Sequence, residues 1–305
     1  MCATKRGHLF LKTLLELSNE DEIIVFCFKE EPWEPAYIDD IKRQTLEASG
    51  TFFETKNPGG KKWDSFWNSA DIDLILVVSW RYMIPSSVYN KARYGTFVFH
   101  DSLLPKYRGF SPTVWAIING ENQTGVTLFE IAEKVDEGDI IDQIAIPIHP
   151  EDTISNVIEN VTEGYLNLLK RNYIKLIDGS AFRIPQNHLN ATYTCKLTPE
   201  DFEINWTENS RKIFNLIRAV SKPYPGAYTF LNGKKIKIWG ARLLIDFPNY
   251  VGRIPGRVAE CRPGQGTVVL TGDSAMLLSE VQFENSPNTL CASKVLNKPN
   301  QTLGR

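Results

Sequence analysis

No run of about 18 apolar residues occurs in this 305-residue chain, so the sequence offers no candidate membrane-spanning helix. The opening residues, from Met1 to His8, also lack the apolar centre of a signal peptide, which makes the cytoplasm the expected compartment. Cysteine is scarce: the five, at 2, 27, 195, 261 and 291, include no Cys-x-x-Cys pair. Neither a zinc site nor a disulfide framework is therefore expected, and we read them as reduced packing residues. There are four histidines, no internal repeat and no low-complexity tract. Charge of one sign is lacking overall, with a net value of −2, but unevenly: residues 201–305 carry 14 Lys and Arg against 8 Asp and Glu. Solvated cations on a β surface explain such a tail as well as an anionic partner does.

What is present is the composition of an ordinary core, 42% apolar, over a length that fits two domains or one large and one smaller. The first half alternates helix and strand. Residues 7–18 carry leucines at helical spacing, 22–28 form a continuous apolar run of strand length, 36–49 read as helix and 51–55 as strand. Only residues 1–4 precede the first helix, so an initial strand is expected to be very short or partly missing. Gly59-Gly60-Lys61-Lys62 lacks the spacing of a phosphate loop and reads as a turn. Strands follow at 72–78, 125–131 and 140–148, with helices at 111–119, where Ser111 can cap and Pro112 suits the first turn, and at 151–177. Residues 180–193 are polar and read as a linker. Beyond 201 the texture changes to one helix near 208–220 and short strands separated by Gly, Asn and Pro, the pattern of a small barrel. The expected fold is α/β: a Rossmann-like parallel-sheet domain over 1–188, then a helix and an OB-like barrel over 189–305.

The chain turns on residues 97–109, where Phe97, Val98 and Phe99 fit a strand covered on both faces and deliver His100 to its carboxyl end. In open α/β sheets, ligands bind in the crevice outside those ends. Loops after the strands ending near 78, 100 and 131 would converge there if the strands are neighbours, bringing Asp136 to His100. A histidine beside a carboxylate can move protons; it can equally be a satisfied structural pair, and spacing alone leaves both readings open.

His-Asp-Ser-Leu-Leu-Pro-Lys-Tyr-Arg-Gly at 100–109, Asn-Gly-Glu-Asn-Gln-Thr-Gly-Val-Thr at 119–127 and Val-Asp-Glu-Gly-Asp-Ile at 135–140 resemble the 10-formyltetrahydrofolate-dependent formyltransferases. The likeness continues through Arg218-Ala219-Val220 and Pro225-Gly226-Ala227 and covers nearly the whole chain. It is most similar to the branch that formylates amino groups of nucleotide-linked sugars, such as the formyltransferase part of the bifunctional UDP-4-amino-arabinose enzyme. The resemblance implies N10-formyltetrahydrofolate as co-substrate, no metal, a nucleotide-linked amino sugar as acceptor, and a homodimer by family analogy.

By that resemblance the catalytic set is Asn, His and Asp, matched here by His100 and Asp136. The Asn position, two residues before the histidine, holds Val98. This departure removes a side-chain donor to the formyl oxygen, a class of contact whose loss elsewhere costs about 2.7–4 kcal/mol. The hydrolase domain of 10-formyltetrahydrofolate dehydrogenase resembles this chain in having an aliphatic residue there. The resemblance places the pterin against main-chain groups around Tyr82, Met83 and Ile84 and around Ile131 and Val135. Ser102, Lys106, Tyr107 and Arg108 are expected at the acceptor, with Trp33, Tyr37 and Trp80 as candidates to stack on a base or simply to pack. Methionyl-tRNA formyltransferase and formyl-folate hydrolase are the alternatives. The former typically carries a longer basic insertion where 29–37 here is short and acidic, poorly suited to a phosphate backbone.

Overall fold

The apolar runs of the first half become strands because residues covered on both faces lose the most water-exposed apolar surface as extended chain. The structure is a computed structural model and describes residues 1–18, 21–31 and 34–304. Its helices are α1 (Thr4–Leu17), α2 (Ile38–Glu47), α3 (Asp64–Ser69), α4 (Ser86–Tyr89), α5 (Pro112–Ile118), α6 (Ile154–Ile177), α7 (Ser210–Ala219) and α8 (Ala292–Val295). Its strands are β1 (Ile24–Cys27), β2 (Thr51–Glu54), β3 (Ile75–Val77), β4 (Thr96–His100), β5 (Arg108–Gly109), β6 (Gln123–Glu130), β7 (Ile140–Pro147) and β8 (Tyr193–Thr194). There follow β9 (Ala227–Leu231), β10 (Lys234–Leu243), β11 (Val258–Arg262), β12 (Gly266–Leu270), β13 (Ala275–Phe283) and β14 (Leu290–Cys291). Two units can be separated: Met1–Pro112, Gln123–Pro147 and Glu159–Thr194 form one, and Thr113–Asn122, Ile148–Ile158 and the chain from Cys195 onward form the other.

In the first unit β1 pairs with β2 in parallel, and β3, β4, β6 and β7 form a four-stranded sheet in that order. Cys2 stands between the two sheets: its N–H donates to Phe26 O at 3.0 Å, and it bridges Val78 in parallel. The short first strand expected from the sequence is this single bridge. β4 is covered on both faces. Phe99 meets Phe10 of α1 edge-on at 4.8 Å and stacks on Tyr165 of α6 at 5.5 Å. Val98 faces the other way, against a cluster that includes Phe26, Val77, Ile84 and Val88. Alternation along the strand puts His100 on the same face as Val98.

Two readings of the first half need correction. β3 and β4 run parallel, but β6 is antiparallel to β4, with Phe97 opposite Glu130 and His100 opposite Thr127. The loop after β6 therefore leaves beside the amino end of β4, and it reaches His100 by folding back along the sheet. Nor are residues 180–193 a linker. Ile184 pairs with Ile140, Arg183 holds Glu130 through two hydrogen bonds, and β8 pairs in parallel with β5. Polar composition suggested solvent; in the fold Arg183 and Gln186 face protein partners instead.

Behind the carboxyl end of β4, Arg6 of α1 clasps Asp101 through Nη1, at 2.7 and 2.9 Å from its two oxygens. The Tyr165 hydroxyl contacts both Asp101 and Phe99 O. Burial disfavours the charged Asp101, but attraction to Arg6 and the hydrogen bond from Tyr165 outweigh it, holding its pKa below the ordinary carboxylate range. The same burial, with the anion alongside, raises the Tyr165 phenol. The buried Cys2 and Cys27 thiols are likewise pushed up, chiefly by burial, and stay protonated.

The second unit carries an antiparallel sheet in the order β11, β12, β13, β10, β9, with β14 added on β13. The expected small barrel is not formed as a closed ladder among the described residues. The chain end runs between β9 and the start of β11 and takes their edge hydrogen bonds, with Gly304 N–H on Phe230 O at 2.8 Å and Val258 N–H on Gln301 O at 3.0 Å. Thr302 and Leu303 make only isolated bridges there. Among the described residues, no helix is long and apolar enough to cross a membrane.

Asp101→Asn removes the anion that balances the largely buried Arg6 guanidinium, so it should lower stability at neutral pH by about 3 kcal/mol. Because the folded pKa is depressed, that stabilisation is complete above the unfolded carboxylate value of about 4 and is lost as pH falls through the lower folded value. Denaturant titrations of both proteins should thus differ at pH 7 and converge in strong acid. A difference independent of pH would contradict the assignment.

Candidate active site

His100 ends β4, and the chain beyond it folds back on itself. The Ser102 hydroxyl donates to Lys106 O at 2.7 Å, and Thr127 on β6 donates to Ser102 O at 2.6 Å while accepting from Leu104 N–H at 3.1 Å. Gln143 of β7 holds both Leu104 O and the Thr127 hydroxyl. This brings the Tyr107 carbonyl to 2.9 Å from His100 Nε2. A carbonyl can only accept, so Nε2 carries the proton in this bond. The other ring nitrogen, Nδ1, faces Asp136 Oδ2 at 3.6 Å, and that oxygen also accepts from Gly109 N–H at 2.8 Å. His100 is 9% exposed.

The backbone around the pair is unusual. Ser79, Tyr107, Ser111 and Asp136, all non-glycine, have φ between 51° and 59°, a left-handed conformation that L residues seldom adopt. At Tyr107 it aims the carbonyl at His100, and at Asp136 it lies within the returning loop. Such conformations persist where surrounding contacts over-determine them. Here those contacts centre on Arg108, whose side chain is 1% exposed. Its guanidinium donates to Gln186 Oε1 at 3.2 and 2.7 Å, to the Tyr193 hydroxyl at 3.1 Å and to His188 Nδ1 at 3.0 Å, with Glu137 3.6 Å away.

The structure thus brings His100 and Asp136 together and spreads the other expected residues. Arg108, expected to face an acceptor, is enclosed and faces protein partners; Ser102 is occupied in holding its own loop. Lys106 is exposed and Tyr107 partly so. Of the residues expected at a pterin, Ile84 is buried in the core cluster beside Val98, and Ile131 packs against it. Tyr82 stands edge-on to Phe28 at 5.1 Å, while Met83 and Val135 are exposed. Trp80 packs on the same cluster, and Tyr37 gives its N–H to Glu30; Trp33 lies outside the described residues. Sequence reading missed Gln186, Tyr193 and Arg6. Nothing in periodicity marks them, and Pro185-Gln186-Asn187 has the composition of a surface turn. No group of three or more metal-ligating side chains is found among the described residues.

A sheltered imidazole and carboxylate at the end of a strand, walled by apolar side chains, make an acid–base site of the kind used in group transfer. In comparison with known proteins, the family model for formyl transferase matches residues 4–171, and that for the formyl transferase C-terminal domain matches 196–299. The chain belongs to the formyl transferase family. A curated relative, the bifunctional polymyxin resistance protein ArnA of Wigglesworthia glossinidia brevipalpis, is 30% identical over 257 residues, 84% of this chain and 39% of that protein. The chain therefore spans about two fifths of that relative's length. An N-formyltransferase from Helicobacter canadensis, solved with folinic acid and dTDP-3-aminofucose, superposes with a TM-score of 0.67 at 21% identity, covering 90% of this chain and 96% of that one. WlaRD, a sugar 3N-formyl transferase solved with dTDP and 5-N-formyl-THF, gives 0.65 at 21% identity, covering 93% and 96%. At these identities both likenesses establish the fold.

A Cβ on Gly138 would stand 1.7 Å from Glu130 O, a distance no neighbouring backbone can absorb without moving. Gly138→Ala should displace the loop after β6, so a structure of that variant is expected to show His100 and Asp136 separated well beyond their present distance. An unmoved Asp136 would show that the loop is held by something other than this close approach.

Proposed function

We propose that this chain transfers a formyl group from N10-formyltetrahydrofolate to the primary amine of a nucleotide-linked amino sugar. The observation that carries the reading is the juxtaposition of His100 and Asp136 in a chain of the formyl transferase family. The folate and sugar-nucleotide ligands of the two structural neighbours support both halves of it. The site sits in the part assigned to residues 1–188, with 189–305 appended, and a cytoplasmic setting accompanies this proposal.

In the reaction the neutral amine attacks the formyl carbon, the C–N10 bond breaks, and the amine's proton ends on the departing N10. The intermediate carries an oxyanion that needs a donor within hydrogen-bond reach. Val98 offers none from its place beside His100. Because Nε2–H is committed to Tyr107 O, the ring can donate to the oxyanion only through Nδ1–H, in its imidazolium form. Asp136, facing Nδ1, stabilises that cation and accepts the proton that the amine loses, passing it to N10 directly or through water. The apolar wall of Val98, Ile84 and Ile131 excludes water and suits the flat face of a pteridine. Tyr82, Met83 and Val135 stand at the pterin in this reading, and Lys106 and Tyr107, the exposed members of their loop, meet the acceptor.

His100→Asn and Asp136→Asn should each lower transfer by roughly 10²-fold or more while leaving thermal unfolding cooperative. Retained activity in both variants would end the assignment. Incubation with 10-formyltetrahydrofolate, with and without an amino sugar nucleotide, divides the possibilities. Formamide formation only with amine supports transfer, and formate release without amine would favour hydrolysis, the reading that Val98 suggests.

A further inference from the structure

We infer that Gln186 is a positioning residue that sets the separation of His100 and Asp136 by clamping the loops that carry them. Its side chain is 5% exposed and uses both ends. Oε1 accepts two hydrogen bonds from Arg108, at 3.2 Å from Nε and 2.7 Å from Nη2. Nε2 donates to Asp136 O at 2.9 Å and to Gly138 O at 2.6 Å. Arg108 follows Tyr107, whose carbonyl holds the His100 ring. One amide therefore touches the histidine's loop on one side and the aspartate's loop on the other. An amide is the group this place requires: the guanidinium can only donate and the two carbonyls can only accept, so the clamp needs an acceptor and a donor on one planar head.

The two loops are tied elsewhere as well. Between them run the Gly109 N–H bond to Asp136 and the ion pair of Arg108 with Glu137, the latter reaching the loop through a flexible side chain. The bonds from Gln186 go to main-chain carbonyls on either side of Glu137, so they fix the path of the loop and not only one side chain. The loop leaves β6 beside the amino end of β4, so its path has to be held over its return to reach His100. A misplacement of about 1 Å in a catalytic pair is enough to lower a rate by roughly 10²-fold.

Two variants separate the halves of the clamp. Gln186→Glu keeps an acceptor for Arg108 but replaces the donor that holds Asp136 O and Gly138 O with an oxygen that repels them. Gln186→Leu removes both. Protein labelled with 15N-histidine reports the Nε2–H held by Tyr107 O as an exchange-protected ring proton, whatever the substrate. The expected result is that Gln186→Glu keeps this signal and Gln186→Leu loses it. Formyl transfer, on the reading given above, should fall roughly 10²-fold in Gln186→Glu with the KM for formyl-folate changed by less than about threefold. Wild-type turnover in Gln186→Glu, or an unchanged ring proton in Gln186→Leu, would overturn the inference. So would loss of the ring proton in Gln186→Glu, which would make the residue a general support. If the wild-type protein transfers no formyl group, the function proposed above fails, and the ring-proton comparison still decides the clamp.

Discussion

The guanidinium of Arg108, a cation with five donors and no acceptor of its own, lies enclosed within the loop that follows His100. Leaving such a cation buried without partners would cost several kcal/mol, and the chain meets that demand with Gln186, Tyr193, His188 and Glu137 around Arg108. These partners come from two segments remote in sequence. Satisfying one charge therefore draws three stretches of chain together: the loop after β4, the loop after β6, and the extended segment before and including β8. The site is a by-product of that convergence. His100 and Asp136 meet because their loops are both tied to groups that surround one arginine.

The same constraint accounts for the strained backbone. Left-handed φ values at Tyr107 and Asp136 each work against folding by of order 1 kcal/mol or more, and the bonds converging on the adjacent residues offset them. In return the Tyr107 carbonyl occupies Nε2 of His100, which leaves Nδ1 facing Asp136. An imidazole held by one nitrogen and facing a carboxylate with the other has its ring orientation fixed by the protein. The Arg6–Asp101–Tyr165 group does comparable service behind the strand, anchoring the peptide that follows His100 to α1 and α6.

Val98 bears on how far the site departs from the pattern of its family. It shares a face of β4 with His100 and is packed, as Ile131 is, against the cluster that includes Ile84. An amide there would have to leave some of its polar atoms among apolar neighbours, at a cost of about 1–3 kcal/mol. The surroundings of Val98 are thus consistent with an apolar side chain.

Much of this was legible in the residues. Continuous apolar runs of strand length marked β1, β3 and β4, because a strand buried on both faces has no polar face to show, and the formyltransferase-like motifs singled out His100 and Asp136. Three features misled. A polar segment at 180–193 looked solvent-bound, Arg108 looked like a ligand contact because loop cations usually face water, and the spacing of short strands suggested a barrel. Local pattern determines which residues are extended, helical or turning, since each such choice depends on neighbours a few positions away. Which polar groups satisfy one another across 50 to 80 residues, and in which direction β6 runs past β4, depends on which segments meet when the chain closes. Only the tertiary structure decided that.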